Sequence, residues 1–344
     1  MHFSITAAAV AALAAVSIAS PVEEYLVPMQ LQGKTFNLVL DTGSSDLWVF
    51  SNLQPANQQS NSHGNHTIYN TALGTRKAGL TYAVQYGDGS SSTGVVYSDK
   101  VTIGGVTVTS QAVEAATSVS AAFYNNSGVD GLLGMALNPL NTVRPTQQNT
   151  WFDNAHTLLA QPLYALSVRK QEVGSLDFGF INATKYVGKL NYINVTPATG
   201  SGFWEFNVRR FAVNGTMHDS GSWFNSIVDS GTSLLYLPDT VVKTYYASVP
   251  SAAIDPSWGG YTFPCSVNIP PMGIYIAGVK YSIPASLLNW EQINDTHCLG
   301  GLQSSAGLPF SILGDVFLKS VYVVFEQPAT GAPRVGFAKQ NPLA

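Results

Sequence analysis

Phe36-Asn37-Leu38-Val39-Leu40-Asp41-Thr42-Gly43-Ser44-Ser45-Asp46-Leu47-Trp48-Val49 reads as an apolar strand running into a tight, hydroxyl-rich turn, with one carboxylate where the buried strand ends. A carboxylate in that position costs free energy unless it is hydrogen-bonded and used. Asp and Gly are common turn residues, so one Asp-Thr-Gly carries little weight alone. The chain holds the pattern twice. Ser226-Ile227-Val228-Asp229-Ser230-Gly231-Thr232-Ser233-Leu234-Leu235 repeats the apolar run, the Asp, the hydroxyls and the Gly. A second element also repeats: Val129-Asp130-Gly131-Leu132-Leu133-Gly134 follows the first copy and Ser311-Ile312-Leu313-Gly314-Asp315 the second, at nearly equal distance from each Asp. Two ordered elements recurring in two halves predict a duplicated lobe, each lobe giving one Asp to a shared centre.

Composition agrees with two β-rich lobes. The 344 residues are enough for two domains of ordinary size. Charged residues make up only 10%, and with Gly 31, Pro 18 and abundant Ser, Thr and Val the chain favours strands and turns over helices. The expected fold class is therefore all-β. A formal net charge of −4 without a basic stripe argues against nucleic acid as a partner. No stretch after residue 20 is long and apolar enough to cross a bilayer, so no membrane partner is expected.

The first twenty residues differ. Phe3-Ser4-Ile5-Thr6 leads into an Ala/Val/Leu run ending Ser17-Ile18-Ala19-Ser20, which reads as a signal peptide over 1–20, with a membrane-anchoring helix as the alternative. The protein is then expected to be secreted, or else delivered to a vacuole. Cys265 and Cys298 are the only cysteines, and an even count in an exported chain predicts a disulfide. Asn-x-Ser/Thr sequons at Asn65, Asn125, Asn182, Asn194, Asn214 and Asn294 fit passage through a glycosylating pathway.

Along the chain, alternation from Tyr25 and a turn at Gly33-Lys34 lead into the strand carrying Asp41. Residues 52–77, rich in Asn, Gln, Ser and His, read as a polar surface loop. Thr81 to Tyr86 and Gly94 to Ile103 form a hairpin joined by Gly87-Asp88-Gly89-Ser90, able to close over a cleft. Residues 138–160 and Pro238 to Val249 are the expected short helical regions. The lobe junction is expected near 186, which gives an N-terminal lobe over 25–186 and a C-terminal lobe over 187–344, packed together with the cleft between them.

These motifs in combination resemble the pepsin-like aspartic proteases, from about Tyr25 to the C-terminus. The hairpin tip Tyr86-Gly87-Asp88-Gly89-Ser90, the closing Ile312-Leu313-Gly314-Asp315-Val316-Phe317-Leu318 and the widely spaced cysteines are most similar to the fungal, penicillopepsin-like or aspergillopepsin-like, branch. The resemblance implies a bilobal fold and an aspartic endopeptidase, monomeric, acting on protein and peptide substrates without cofactor or metal. It implies Asp41 and Asp229 as the catalytic pair. Ser44 and Thr232 are expected to hydrogen-bond the two carboxylates, and Thr42 and Ser230 to interlock the turns beneath them. Ser230 stands where many relatives have Thr; the hydroxyl is kept and a methyl is lost. Gly43 and Gly231 permit the close backbone approach of the two turns. Tyr86 is expected to cover the substrate from the flap, Gly87 and Asp88 to stand at its tip, and Trp48 to hydrogen-bond Tyr86 or to serve core packing alone. Phe123 and Leu132 match lining positions of the pocket before the scissile bond. Asp88 is expected either to admit Lys there or to serve only the turn. The resemblance also implies a basic prosegment, for which the acidic stretch Ser20-Pro21-Val22-Glu23-Glu24 leaves no room, and the strand preceding the matching Glu-Glu-Tyr is expected to be absent; either the protein folds directly to an uninhibited enzyme or, the preferred reading, an in-frame segment encoding a basic stretch lies upstream of Ser20.

Two carboxylates about 3 Å apart at an effective dielectric near 20 repel by roughly 5 kcal/mol, so one keeps a proton; aspartic proteases are themselves the standard case of such a pair. A water between them can lose a proton to the charged Asp while the protonated one polarises the peptide carbonyl. Other hydrolytic chemistries lack their motifs: there is no His-Glu-x-x-His and no Gly-x-Ser-x-Gly. A non-catalytic binding protein on the same scaffold is expected to have lost an Asp, a turn hydroxyl or the flap tyrosine, and this chain keeps all of them.

Overall fold

The computed structural model describes residues 12–19, 24–61, 64–170, 172–196 and 201–342. Strands dominate. A thirteen-stranded sheet runs through both halves of the chain, and a seven-stranded sheet and a four-stranded sheet belong to the second half.

Each half of the chain builds the same three-strand unit. In the first, Lys34–Asp41 lies parallel to Gly131–Gly134, with Leu40 opposite Leu133 and Asp41 opposite Gly134, and Gly131–Gly134 also lies antiparallel to Leu47–Val49. In the second, Thr216–Val228 lies parallel to Ser311–Leu313, with Val228 opposite Leu313, and Ser311–Leu313 lies antiparallel to Leu235–Leu237. A remote segment thus wedges between the two strands that flank each Asp turn. The two strands are buried on both sides near the turn, which explains why both sequences read as unbroken apolar runs. The wedge ends on a glycine because nothing larger fits: a Cβ on Gly134 would come within 2.5 Å of the Asp46 amide nitrogen, and one on Gly314 within 2.3 Å of the Thr232 carbonyl oxygen.

The halves share a continuous sheet and core. Val321–Glu326 and Arg334–Gln340 from the chain's end pair with each other, and Val321–Glu326 pairs with Leu163–Arg169 from the first half. Tyr164 stacks on Phe325 at 4.6 Å between centroids, and Trp204 meets Phe325 edge-on at 5.1 Å. Among the described residues the lobes are joined by paired strands and stacked rings, and the apolar area buried between them holds them together.

The alternation read from Tyr25 holds, with Tyr25, Val27, Met29 and Leu31 all in the core. The first expected helical region holds 3-10 turns at Asn138–Leu140 and His156–Leu158 around the α-helix Trp151–Ala155, and the second holds Asp239–Tyr246; both α-helices open on a preformed start. Thr150 and Asp153 form a reciprocal capping box on the first, and Pro238 precedes the second, which buries Val241, Val242, Tyr245 and Tyr246.

Two readings change. Residues 52–77 are not simply a surface loop: Tyr69 is fully buried, and His66 stacks on Phe50 at 3.8 Å with Nδ1 2.7 Å from the Val129 carbonyl oxygen. Local polarity hid these anchors. The strand expected to be missing ahead of Glu24-Tyr25 is present as Ala12–Ala19, which lies antiparallel to Glu172–Phe178 and to Glu24–Leu31. An Ala/Val run serves an extended conformation between two strands as readily as an export signal. The part of the signal-peptide reading that falls on residues 1–11 and 20 lies outside the described residues.

The disulfide forms. Cys265–Cys298 joins neighbouring strands of the four-stranded sheet, where Phe263 stands opposite Cys298 and Pro264 opposite His297, across a sequence separation of 33. Closing a loop of that length contributes about 4 kcal/mol in the chain-entropy account. Replacing both cysteines with Ser should therefore lower unfolding stability by up to that amount. Amide exchange should quicken first in the four-stranded sheet while the Lys34–Asp41 strand stays protected. Equal loss of protection in both strands would show that the bridge does not act locally.

Candidate active site

The two Asp turns meet where the lobes touch, and they do so symmetrically. The Thr42 hydroxyl donates to the Val228 carbonyl (2.9 Å) and accepts from the Ser230 amide (3.0 Å). The Ser230 hydroxyl donates to the Leu40 carbonyl (2.8 Å) and accepts from the Thr42 amide (3.1 Å). Four bonds cross the junction, all buried, so each hydroxyl is satisfied as donor and acceptor and neither can leave without orphaning the other turn's backbone. Ser at 230 makes the full set.

Each carboxylate is held by its own turn in the same way. Asp41 Oδ1 accepts from the Gly43 amide at 2.7 Å, and its Oδ2 accepts from the Ser44 hydroxyl. Asp229 Oδ1 accepts from the Gly231 amide at 2.8 Å, and its Oδ2 from the Thr232 hydroxyl at 2.6 Å. The glycines face the opposite lobe's acid: a Cβ on Gly43 would stand 2.6 Å from Asp229 Oδ1, and a Cβ on Gly231 2.6 Å from Asp41 Oδ1. Real side chains do not approach so closely. The absence of a Cβ on both turns is what lets the two acids stand together.

Burial first, then the charge of Asp229, pushes the Asp41 carboxyl well above the usual range, while the bonds from Ser44 and Gly43 pull the other way.

A second layer supports Asp41 from below. Its carbonyl accepts from the Met135 amide at 2.7 Å, and the Met135 carbonyl in turn accepts from the Tyr164 hydroxyl (2.7 Å) and the Trp204 indole (2.9 Å). Neither ring stands out in the sequence, because a buried aromatic is the ordinary content of a core.

The hairpin of Thr75–Gln85 and Ser91–Ile103 carries the flap residues. Trp48 Nε1 donates to Tyr86 Oη at 2.8 Å, so the tryptophan both packs and bonds. Phe123, on the short helix Ala121–Tyr124, meets Trp48 edge-on at 4.9 Å and Tyr86 at 5.7 Å. Leu132 is buried in the same apolar cluster. At the tip, Asp88 Oδ1 accepts from the Ser90 amide (2.8 Å) and hydroxyl (2.6 Å), which closes the turn. Gly89 adopts φ +85°, a conformation only glycine takes without strain, while Gly87 leaves open space beside the tip. The residues expected at the dyad and the flap are thus brought to one junction or to the hairpin above it. Cys265 and Cys298 stand apart, in the four-stranded sheet.

Sequence reasoning passed over Asp46, Glu114 and Asn141, which form a buried polar cluster behind the first turn. Asp46 sat within the quoted stretch, but Glu114 and Asn141 are scattered and only the fold assembles them.

Comparison with known proteins places this geometry. The eukaryotic aspartyl protease family matches residues 25–340. Penicillopepsin-1 of Penicillium janthinellum is 47% identical over 320 residues, which cover 92% of this chain and 95% of that protein. Aspergillopepsin-1 of Aspergillus fumigatus is 44% identical over 320 residues, covering 92% of this chain and 78% of that protein. Among solved structures, the aspartic proteinase from Irpex lacteus superposes with a TM-score of 0.77 at 23% identity, over 97% of this chain and 98% of that one, a likeness of fold. The chain belongs to the eukaryotic aspartyl protease family, and it is an aspartic-type endopeptidase of the fungal pepsin-like kind.

Proposed function

We propose that Asp41 and Asp229 are the catalytic pair of this endopeptidase, acting at acid pH on bonds between bulky apolar residues and accepting Lys before the scissile bond. The observation that carries this reading is the mutual approach of the two carboxylates across glycines that leave no room for a Cβ. One acid of the pair, ionised, takes a proton from a water set between them; the other, protonated, polarises the substrate carbonyl. The tetrahedral product collapses without any covalent bond to the protein. Ser44 and Thr232 hold the outer oxygens, so the inner ones face the reacting atoms.

The sign of the pH dependence follows from Asp41. Its folded-state pKa is raised, so the one-proton state persists through acid pH and is lost as pH rises, which removes activity on the neutral side. Tyr86, Trp48, Phe123 and Leu132 make an apolar wall under the flap, which favours bulky apolar side chains on the substrate. Export is supported by the Cys265–Cys298 bond and by the sequon asparagines, none of which is buried. We place the lobe boundary near 186, where Tyr186–Asn194 begins to pair with Arg334–Gln340.

Asp41→Asn and Asp229→Asn keep the shape of the turn and remove the proton exchange. Each should lower cleavage of denatured globin at acid pH by about a hundredfold or more, with the parent blocked by a pepstatin-type inhibitor. Normal turnover by either folded variant would remove that residue from the mechanism.

Asp88 is exposed at the flap tip with only Oδ1 engaged, which leaves a carboxylate to meet a substrate ammonium. Asp88→Ala should lower kcat/KM for a peptide with Lys before the scissile bond by about tenfold relative to its Phe counterpart. An unchanged Lys-to-Phe ratio would leave Asp88 as a turn residue only.

A further inference from the structure

Next to the Asp41 turn a second pair of carboxyl groups is buried. Asp46 is 0% exposed and Glu114 is 1% exposed. Asp46 closes the turn; Glu114 comes from Val106–Val119, where it stands opposite Trp48. Asp46 Oδ1 accepts from the Thr142 amide (2.8 Å), the Thr142 hydroxyl (3.1 Å) and Asn141 Nδ2 (3.0 Å), and Glu114 Oε1 accepts from the same Asn141 Nδ2 at 3.1 Å. The other oxygen of each, Asp46 Oδ2 and Glu114 Oε2, is buried with no hydrogen-bond partner. Two carboxylates have only acceptors between them. A proton held by one of them supplies the donor that both of these oxygens lack.

The cluster also grips the turn. Asn141 Nδ2 donates to the Ser45 carbonyl (3.2 Å), Gly134 N to the Asp46 carbonyl (2.9 Å), and Ser45 Oγ to the Leu137 carbonyl (2.7 Å). We propose that Asp46 and Glu114 hold a single proton between them and in that state position the turn that carries Asp41, so that losing this proton at higher pH releases the turn. Asp46 and Glu114 are positioning residues, and the inference rests on the reading of Asp41 as half of the catalytic pair.

The groups facing the pair favour Glu114 as the carrier. Burial raises both carboxyls. Asp46 is pulled back by the Thr142 bonds and the charge of Arg144; Glu114 is raised further by Asp46 and has only Asn141 against it. The remaining titratable neighbours are the phenols of Tyr82 and Tyr86, both held neutral by burial. No cation other than Arg144 acts on the pair among the described residues. The folded-state pKa of Glu114 lies above its unfolded value of about 4.3, so the stabilisation is full below that pH and is lost as pH rises toward the raised value.

An amide can replace the shared proton with a fixed donor. In Glu114→Gln, Nε2 can donate to Asp46 Oδ2 while Oε1 still accepts from Asn141; Asp46→Asn offers the reverse. Near-UV circular dichroism would follow the neutral-side loss of native packing in the full chain, alongside kcat and KM at acid pH. Either amide variant should move the midpoint of that loss upward by about one pH unit or more. Glu114→Leu should lower kcat at acid pH by about tenfold with KM little changed, and Glu114→Gln should restore it. The proposal is overturned if the folded amide variants share the parent's midpoint, or if neither amide variant reaches native packing at acid pH. The dichroism midpoint does not depend on turnover, so it can fail or hold independently of the Asp41–Asp229 assignment.

Discussion

Two carboxyl groups do not stand side by side by attraction, and what holds Asp41 near Asp229 is the exchange of hydrogen bonds between Thr42 and Ser230 directly beneath them. Each hydroxyl donates to a carbonyl of the opposite strand and accepts from the amide of the opposite turn. On the proposed reading, one retained proton relieves the repulsion, roughly 5 kcal/mol at about 3 Å for two full charges. The geometry below it is fixed by groups that do not titrate. Shared sheet and shared aromatic core then keep the two lobes from separating, since Val321–Glu326 and Leu163–Arg169 pair across the halves of the chain.

Around this junction, support is built from neutral donors rather than ion pairs. The Met135 carbonyl collects bonds from Tyr164 and Trp204, and the Met135 amide passes the constraint to the Asp41 carbonyl. The buried ion pair Lys185–Asp177, at 2.8 Å, lies away from the junction. With charged residues only 10% of the chain, few full charges need desolvation, and most buried acids near the site can be neutral at the pH where the enzyme is read to act. Such acids stabilise the fold only while protonated. On the proposed reading, acid activity and acid stability follow from one arrangement.

The junction was legible in the sequence because its parts recur. Asp, hydroxyl and Gly appear in order after an apolar run in both halves, and each wedge ends on a glycine, so symmetry alone points to a shared centre. The flap was legible from Gly87-Asp88-Gly89-Ser90, whose turn chemistry is local, and the helix at Asp239–Tyr246 from its preceding Pro238 and its apolar spacing. Other parts depend on contacts far apart in sequence. His66 and Tyr69 sit in a stretch whose polar composition spells a surface loop, and only their packing on Phe50 and Tyr97 makes them core. Asn141 and Glu114 are single polar residues with no periodicity; their meaning arises when Gly131–Gly134 wedges in and draws the segment after it under the turn. Ala12–Ala19 shows the reverse ambiguity, since an apolar run of small residues fits both an export signal and a strand between neighbours.

The central claim is that Asp41 and Asp229 share one proton at the pH of action. Neutron diffraction from a crystal of the deuterated protein held at acid pH locates that proton directly. The account predicts a single deuteron on the inner oxygens of the pair, with Ser44 and Thr232 donating their own deuterons to the outer oxygens. A pair carrying two deuterons, or none, would contradict it.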